Sequence, residues 1–296
     1  MKKSLLLLII PFFIISCSSE TDDSSEASEE LALKFEFNYE LHSSLNSYYK
    51  DSIKSIIGRL EKIMPIEPYK ETNSLKLPVN GVSVYSWKKG DTKPYLSLIG
   101  DTDQCICGFI NKNLVMSIQI SENDLSGNNN FKYALLAHEY FHVFQHYNSK
   151  GLDLKNFWLV EGQAATIESL FVKENYSDSN YLKNFLNKDA ISFDKALKKI
   201  TDYEGYGELE NGDITVFMIL SLSKILQLEG HSEEKSFKMI FIDYWKSDPQ
   251  NSNWKIKFKE TFSLDVAQFY EKLNNYKDDP ESVLPSINFK LKNIFN

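Results

Sequence analysis

Between Leu41 and Met64 the apolar positions recur at helical spacing: Leu41, Leu45, Tyr48 and Tyr49, Ile53, Ile56 and Ile57, Leu60, then Ile63 and Met64. A stripe of that width predicts a helix laid on a core, stopped by Pro65 and Pro68. From Leu75 to Ser121 the period changes to two. Val82 and Val84 alternate with Ser83 and Tyr85, while Leu114, Met116, Ile118 and Ile120 alternate with Val115, Ser117 and Gln119. Turn residues at Asn80-Gly81, Gly90-Asp91 and Gly100-Asp101 separate these runs, so the pattern predicts half-buried strands in a small, mostly antiparallel sheet.

After Asn128-Asn129-Asn130 the pattern is helical throughout. Phe131 to Tyr147 is apolar nearly all round, which marks a central buried helix. Further helices are expected near 157–174, 179–187, 213–229, 232–246 and 263–274, with Gly230 and Pro249 as breaks. No internal repeat and no coiled coil interrupts this order. The expected class is α+β over residues 31–296: an N-terminal helix and a sheet first, then a helical half.

Composition narrows the picture. The chain has 296 residues, 42% of them hydrophobic, with 12 Gly and 8 Pro, which excludes a wholly disordered or collagen-like chain. A net charge of −8 argues against a general nucleic-acid binder. Three Cys are too few for a disulfide framework. Cys105 and Cys107 sit two apart in a predicted strand, so they face the same way, either as a strained disulfide or as buried thiols.

The first residues form a segment of their own. Lys2 and Lys3 precede an apolar run from Ser4 to Ser16 that is too short to span a bilayer as a mature helix. Ile14-Ile15-Ser16-Cys17 resembles the lipobox of bacterial lipoproteins. That resemblance implies a signal peptide over 1–16, lipidation of Cys17 as the new N-terminus, and a membrane contact through the lipid. Ser18 to Glu30 carries six acids and no base, and reads as a solvated tether over 17–30. Ser18, rather than Asp, after the Cys resembles outer-membrane sorting, so the expected location is the bacterial cell envelope, at the outer membrane or cell surface.

The chemistry is concentrated in the central helix, which contains His138-Glu139-Tyr140-Phe141-His142, an H-E-x-x-H motif. Residues i and i+4 share a helix face, so both imidazoles can reach one Zn²⁺, and Glu139 stands beside the first of them as a general base. Trp158-Leu159-Val160-Glu161-Gly162 opens the next helical pattern, with 18 residues between His142 and Glu161. This arrangement resembles the gluzincin metallopeptidases, the superfamily of thermolysin and the leucyl and alanyl aminopeptidases. The resemblance is specific over 131–172. It implies a zincin-like fold, Zn²⁺ as cofactor, a peptide or protein substrate, and Glu161 as third ligand. Glu168, two helical turns further on the same face, would orient a ligand histidine. Phe258 to Leu273 is similar to the closing helices of related gluzincins.

The pattern also departs from that family. The G-x-M-E-N loop of the aminopeptidases has no counterpart in Thr102 to Gly108, which leaves exopeptidase action without its amine-binding Glu. For the group that steadies the oxyanion, the resemblance points to Tyr206, ahead of Gly212, with Tyr203 and His231 as rivals. His146 continues the histidine row but lies too far along the helix to be a third ligand. It is expected to support the site or to pack. The expected protein is a monomeric, lipid-anchored zinc peptidase. The rival is a lipoprotein that uses such a scaffold for binding or envelope assembly with little or no hydrolysis.

Overall fold

Asn46 starts the first helix by accepting a hydrogen bond from the Tyr49 N–H at 3.0 Å, which satisfies one of the free amides of the first turn. Helix α1 runs Ser47–Ile63 and buries Ile53, Ile56, Ile57 and Leu60, the stripe expected from the sequence. Leu41 is not part of it. Phe37, Tyr39 and Leu41 alternate with exposed Glu36, Asn38 and Glu40 in a strand, β1, Glu36–Leu41. The first element among the described residues is therefore a strand, and the helix follows it.

The computed structural model describes residues 34–67, 81–88, 94–99, 106–110, 113–120, 131–149, 154, 156–176, 180–186, 204 and 212–295. The signal peptide, the acidic tether and Cys17, as well as Cys105, Tyr203 and Tyr206, lie outside the described residues. Among the described residues no helix is long and apolar enough to cross a membrane.

Three further strands complete the sheet: β2, Gly81–Lys88, β3, Ile106–Ile110, and β4, Asn113–Ile120. The strand order is β1-β2-β4-β3. β1 pairs with β2, and β2 with β4, in parallel; β3 alone pairs antiparallel, with β4. The expected mostly antiparallel sheet is thus corrected to a mostly parallel one in a fold of mixed helix and sheet. Period-two alternation reports unequal burial of two faces and carries no direction. Direction follows from the connections: α1 lies between β1 and β2, and a crossover of that kind returns the chain to run the same way. β3 and β4, two residues apart in sequence, make the antiparallel pair among the described strands. Residues 114–118 of β4 are all buried, as suits an inner strand covered on both faces.

The helical half follows. Helix α2, Phe131–Asn148, packs against α1, β3 and β4. Tyr140 fixes its back by donating to the Met64 carbonyl at 2.7 Å and stacking on Phe37 with ring centroids 5.4 Å apart. Helix α3, Phe157–Tyr176, begins where the Asn156 side chain accepts from the Leu159 N–H at 3.1 Å. It is apolar on almost every side, and its buried hydroxyls bond back into the helix, Thr166 to the Gly162 carbonyl and Ser169 to the Ala165 carbonyl, each at 2.7 Å. Helix α4, Gly212–Leu228, lies across α3.

Helix α5, Glu233–Lys238, continues through a π-turn, Met239–Asp243, into Tyr244–Lys246. The helix expected over 263–274 is observed over 266–273, and a further helix, outside that span, precedes it. α6, Trp254–Phe262, ends at Ser263 in the left-handed region (φ 53°), and α7, Val266–Leu273, restarts from an Asp265 capping box. These helices pin the start of α3. Trp158 stacks on Phe269 with centroids 5.2 Å apart and donates to the Tyr270 hydroxyl at 3.1 Å. That hydroxyl donates to Glu204 at 3.0 Å, and Lys255 closes the chain on the same carboxylate. Trp245 donates to the Gln163 side-chain oxygen at 2.7 Å.

α3 and α4 approach closely at Gly162, where a Cβ would lie 2.7 Å from the Thr215 carbonyl oxygen and 2.9 Å from its Cβ. Backbone cannot yield as a flexible side chain can, so Gly162→Ala must push the helices apart. It is expected to lower stability by about 1–3 kcal/mol, read as a shift of the denaturant midpoint. An unchanged midpoint would show that the contact tolerates a methyl group.

Candidate metal centre

Helix periodicity places His138 and His142 on one face of α2, and α3 crosses opposite them with Glu161 and Glu168. The ring centroids of His138 and His142 are 4.7 Å apart. One oxygen of Glu161, Oε2, lies 3.2 Å from His138 Nε2 and 3.3 Å from His142 Nε2. One ligand atom from each of these three residues falls within 4.8 Å of the others. The structure thus brings together the three residues expected from the sequence, and they come from two helices.

The opposite nitrogens decide what the three can hold. His138 Nδ1 lies 2.8 Å from Glu168 Oε2. His142 Nδ1 lies 2.7 Å from the Gln145 side-chain oxygen, and Gln145 Nε2 donates to the Val160 carbonyl at 3.0 Å. Carboxylate and amide oxygens only accept, so both imidazoles carry a proton on Nδ1. A neutral ring then turns its Nε2 lone pair toward the carboxylate oxygen of Glu161, and lone pair faces lone pair. Only a cation relieves this, either a second proton on each ring or a metal ion between the three atoms. A tetrahedral zinc with bonds of about 2.0–2.1 Å would separate its ligand atoms by about 3.3–3.4 Å. The two spacings observed, 3.2 and 3.3 Å, fit that edge.

The charges tell the same story. Burial would raise the Glu161 carboxyl, but the His142 and His138 imidazoles overcome this and hold it far below the usual carboxylate range. Burial would lower both imidazoles. For His138 the hydrogen bonds of Glu161 and Glu168 win and carry it well above its ordinary value, and for His142 the attraction of Glu161 does so. The metal-free pocket therefore attracts protons strongly, and a metal entering it would release them.

Glu139 is a different kind of carboxylate. It is 6% exposed, and among the described residues its Oε2 has no hydrogen-bond partner. Burial pushes its carboxyl up, partly opposed by His142 and His138 and reinforced by Glu161 and Glu168. It stands beside His138 in the sequence and has no share in the three-residue cluster. The side chains of Glu161 and His138 are 26% and 20% exposed, so one side of the cluster opens to solvent. An open side is what a catalytic zinc needs and a structural zinc lacks.

The remaining residues singled out from the sequence divide. His146 is outside the cluster; burial, with the His142 charge, pushes it down to about 4 despite a hydrogen bond with the Cys107 backbone. That fits the expected supporting or packing role. Cys107 is a free thiol on β3, raised by burial and by the nearby Glu139 and Glu161. His231 is exposed in a surface groove with Leu226, Phe262 and Lys272, apart from the three clustered residues. Gln145 is the residue that sequence reasoning missed. Its signal is faint: a polar residue three places after a candidate ligand, in a helix otherwise apolar all round.

Comparisons with protein-family models, with curated proteins and with solved structures gave no match for this chain. The geometry therefore stands alone. Protein purified without chelator is expected to hold about one Zn²⁺ per chain. Glu161→Ala should lose most of it, and Glu168→Leu should weaken binding by about 10–100-fold through His138. Elemental analysis and competition with a chromophoric chelator read both. Equal zinc in Glu161→Ala and the parent would place the third ligand elsewhere.

Proposed function

We propose that this protein is a zinc-dependent hydrolase of peptide bonds, of the gluzincin type and zincin-like in fold, held in the cell envelope by a lipid on Cys17. The observation that carries this reading is the cluster of His138, His142 and Glu161, with Glu161 Oε2 at tetrahedral-edge distance from both Nε2 atoms and Glu139 buried beside it. Bound there, zinc would supply a Lewis acid that acidifies water and polarises a carbonyl. His138 and His142 would hold the ion through Nε2, their rings fixed from behind by Glu168 and Gln145.

Glu139 would take the proton of the attacking water and return it to the leaving amine. A raised carboxyl suits both halves of that task, since it accepts a proton more readily than an ordinary glutamate and still releases it. Tyr206 remains the candidate for steadying the oxyanion, with Tyr203 as rival. The substrate is a peptide or protein. The H-E-x-x-H helix followed by the Glu161 helix supports the gluzincin likeness, and the 1–30 segment supports the anchor.

Glu139→Gln keeps the shape and loses the base. Zinc should stay bound and the fold intact, while cleavage of a random peptide library falls by about 10²–10⁴-fold. A Glu139→Gln protein that cleaves like the parent, or a parent whose cleavage ignores a chelator, would remove the peptidase reading. For the anchor, Cys17→Ala should shift the protein out of the membrane fraction as a soluble or unprocessed form. A processed Cys17→Ala protein that still partitions with membranes would sink the lipid-anchor reading.

A further inference from the structure

We propose that Gln145 is a positioning residue for the metal centre, which sets the tautomer of His142 from the backbone of the helix that carries Glu161. The inference rests on the zinc reading and concerns how the second ligand is prepared for it.

Gln145 is fully buried, and both ends of its amide are engaged. The Val160 carbonyl can only accept, so Gln145 must turn its NH₂ toward it, at 3.0 Å. That turns the amide oxygen toward His142 Nδ1, at 2.7 Å. The oxygen can only accept, so the His142 proton must sit on Nδ1, and its lone pair must sit on Nε2. Nε2 is the atom that faces Glu161 at 3.3 Å. Val160 immediately precedes Glu161, so the turn of α3 that delivers the third ligand also selects which nitrogen of the second ligand is available. Docking of α3 on α2 thereby prepares both at once.

His138 is oriented from the same helix by Glu168, but the chemistry differs. A carboxylate behind an imidazole makes it a stronger donor and adds a negative charge; an amide orients the ring and adds none. The pocket already contains Glu139, Glu161 and Glu168. A fourth carboxylate at position 145 would crowd it with charge and would have no N–H for the Val160 carbonyl. The amide meets both demands, which gives glutamine a specific reason to be there.

The test uses metal-free full-length chain reloaded with Zn²⁺ alone. Affinity is read by chelator competition, ring protonation by ¹⁵N spectra of the loaded imidazoles, and folding by circular dichroism. In the parent, His138 and His142 should both ligate through Nε2 and show slowly exchanging Nδ1–H signals. Gln145→Met, of similar length but without hydrogen bonds, should bind zinc about 10–100-fold more weakly and lose the protected His142 signal, while that of His138 persists. Gln145→Glu, which still accepts from Nδ1–H, should keep the signal and lose part of the affinity. A Gln145→Met protein with parental affinity and both signals overturns the inference alone. If Gln145→Met does not fold, the parent spectrum decides, because ligation by His142 through Nδ1 is incompatible with the proposal. A parent that takes up no zinc overturns the metal reading and this inference with it.

Discussion

The contact between α2 and α3 draws together two imidazoles and three carboxylates, most of whose surface is hidden from water. Groups of this kind are costly to bury unless their charges and hydrogen bonds are balanced locally. The balance here is built from fixed pairs: His138 with Glu168, His142 with Gln145, and Glu161 shared between both Nε2 atoms. Each pair spans or prepares the helix contact, so a rotation of either helix would break several at once. The remaining structure serves to hold that one relation still.

The supports come from opposite sides. Behind α2, Tyr140 reaches the last turn of α1 and stacks on β1, so the sheet and the first helix set the rotation of the histidine face. Behind α3, Gly162 lets α4 approach to backbone contact, and Trp158 and Trp245 tie the first turns of α3 to the later helices. Indole N–H groups buried in such cores need partners, and each of these two finds one on the far element. The apolar character of α2 and α3 all round follows from this: each is covered on nearly every side, and their buried polar residues join the cluster, bond back to their own helix or, like Gln163, meet a neighbouring element.

Legibility in the sequence followed the period of the signal. The central helix, its two histidines and the position of Glu161 and Glu168 on the following helix were readable because 3.6-residue periodicity fixes which side chains share a face. The sheet was readable only as alternating burial. Strand direction depends on the length of the connections and on where the helices lie, and β1 was hidden because Leu41 fits both the strand run and the helical stripe. α6 was not in the helical pattern because nine residues with three buried positions, Trp254, Phe258 and Phe262, make only a short stripe. Gln145 escaped because its meaning lies in a bond to a backbone carbonyl on another helix, and side-chain patterns carry no record of backbone partners.

Glu139 bears on whether the cluster serves chemistry or only holds a metal. A buried carboxylate oxygen with no partner costs about 1–3 kcal/mol or more relative to one that is bonded or exposed. A scaffold that merely needed the ion would do better with a glutamine, an alanine or a bonded acid at this place. Nor does Glu139 complete the ligand set, which draws on His138, His142 and Glu161 and leaves one side open to solvent. A buried carboxylate with an unbonded oxygen beside an incompletely closed ligand set is a poor arrangement for stability and, under the proposed function, a suitable one for moving a proton. The cost is sustained because the surrounding core over-determines the position of α2, and that rigidity is what the proposed base, acting on a nearby water, would require.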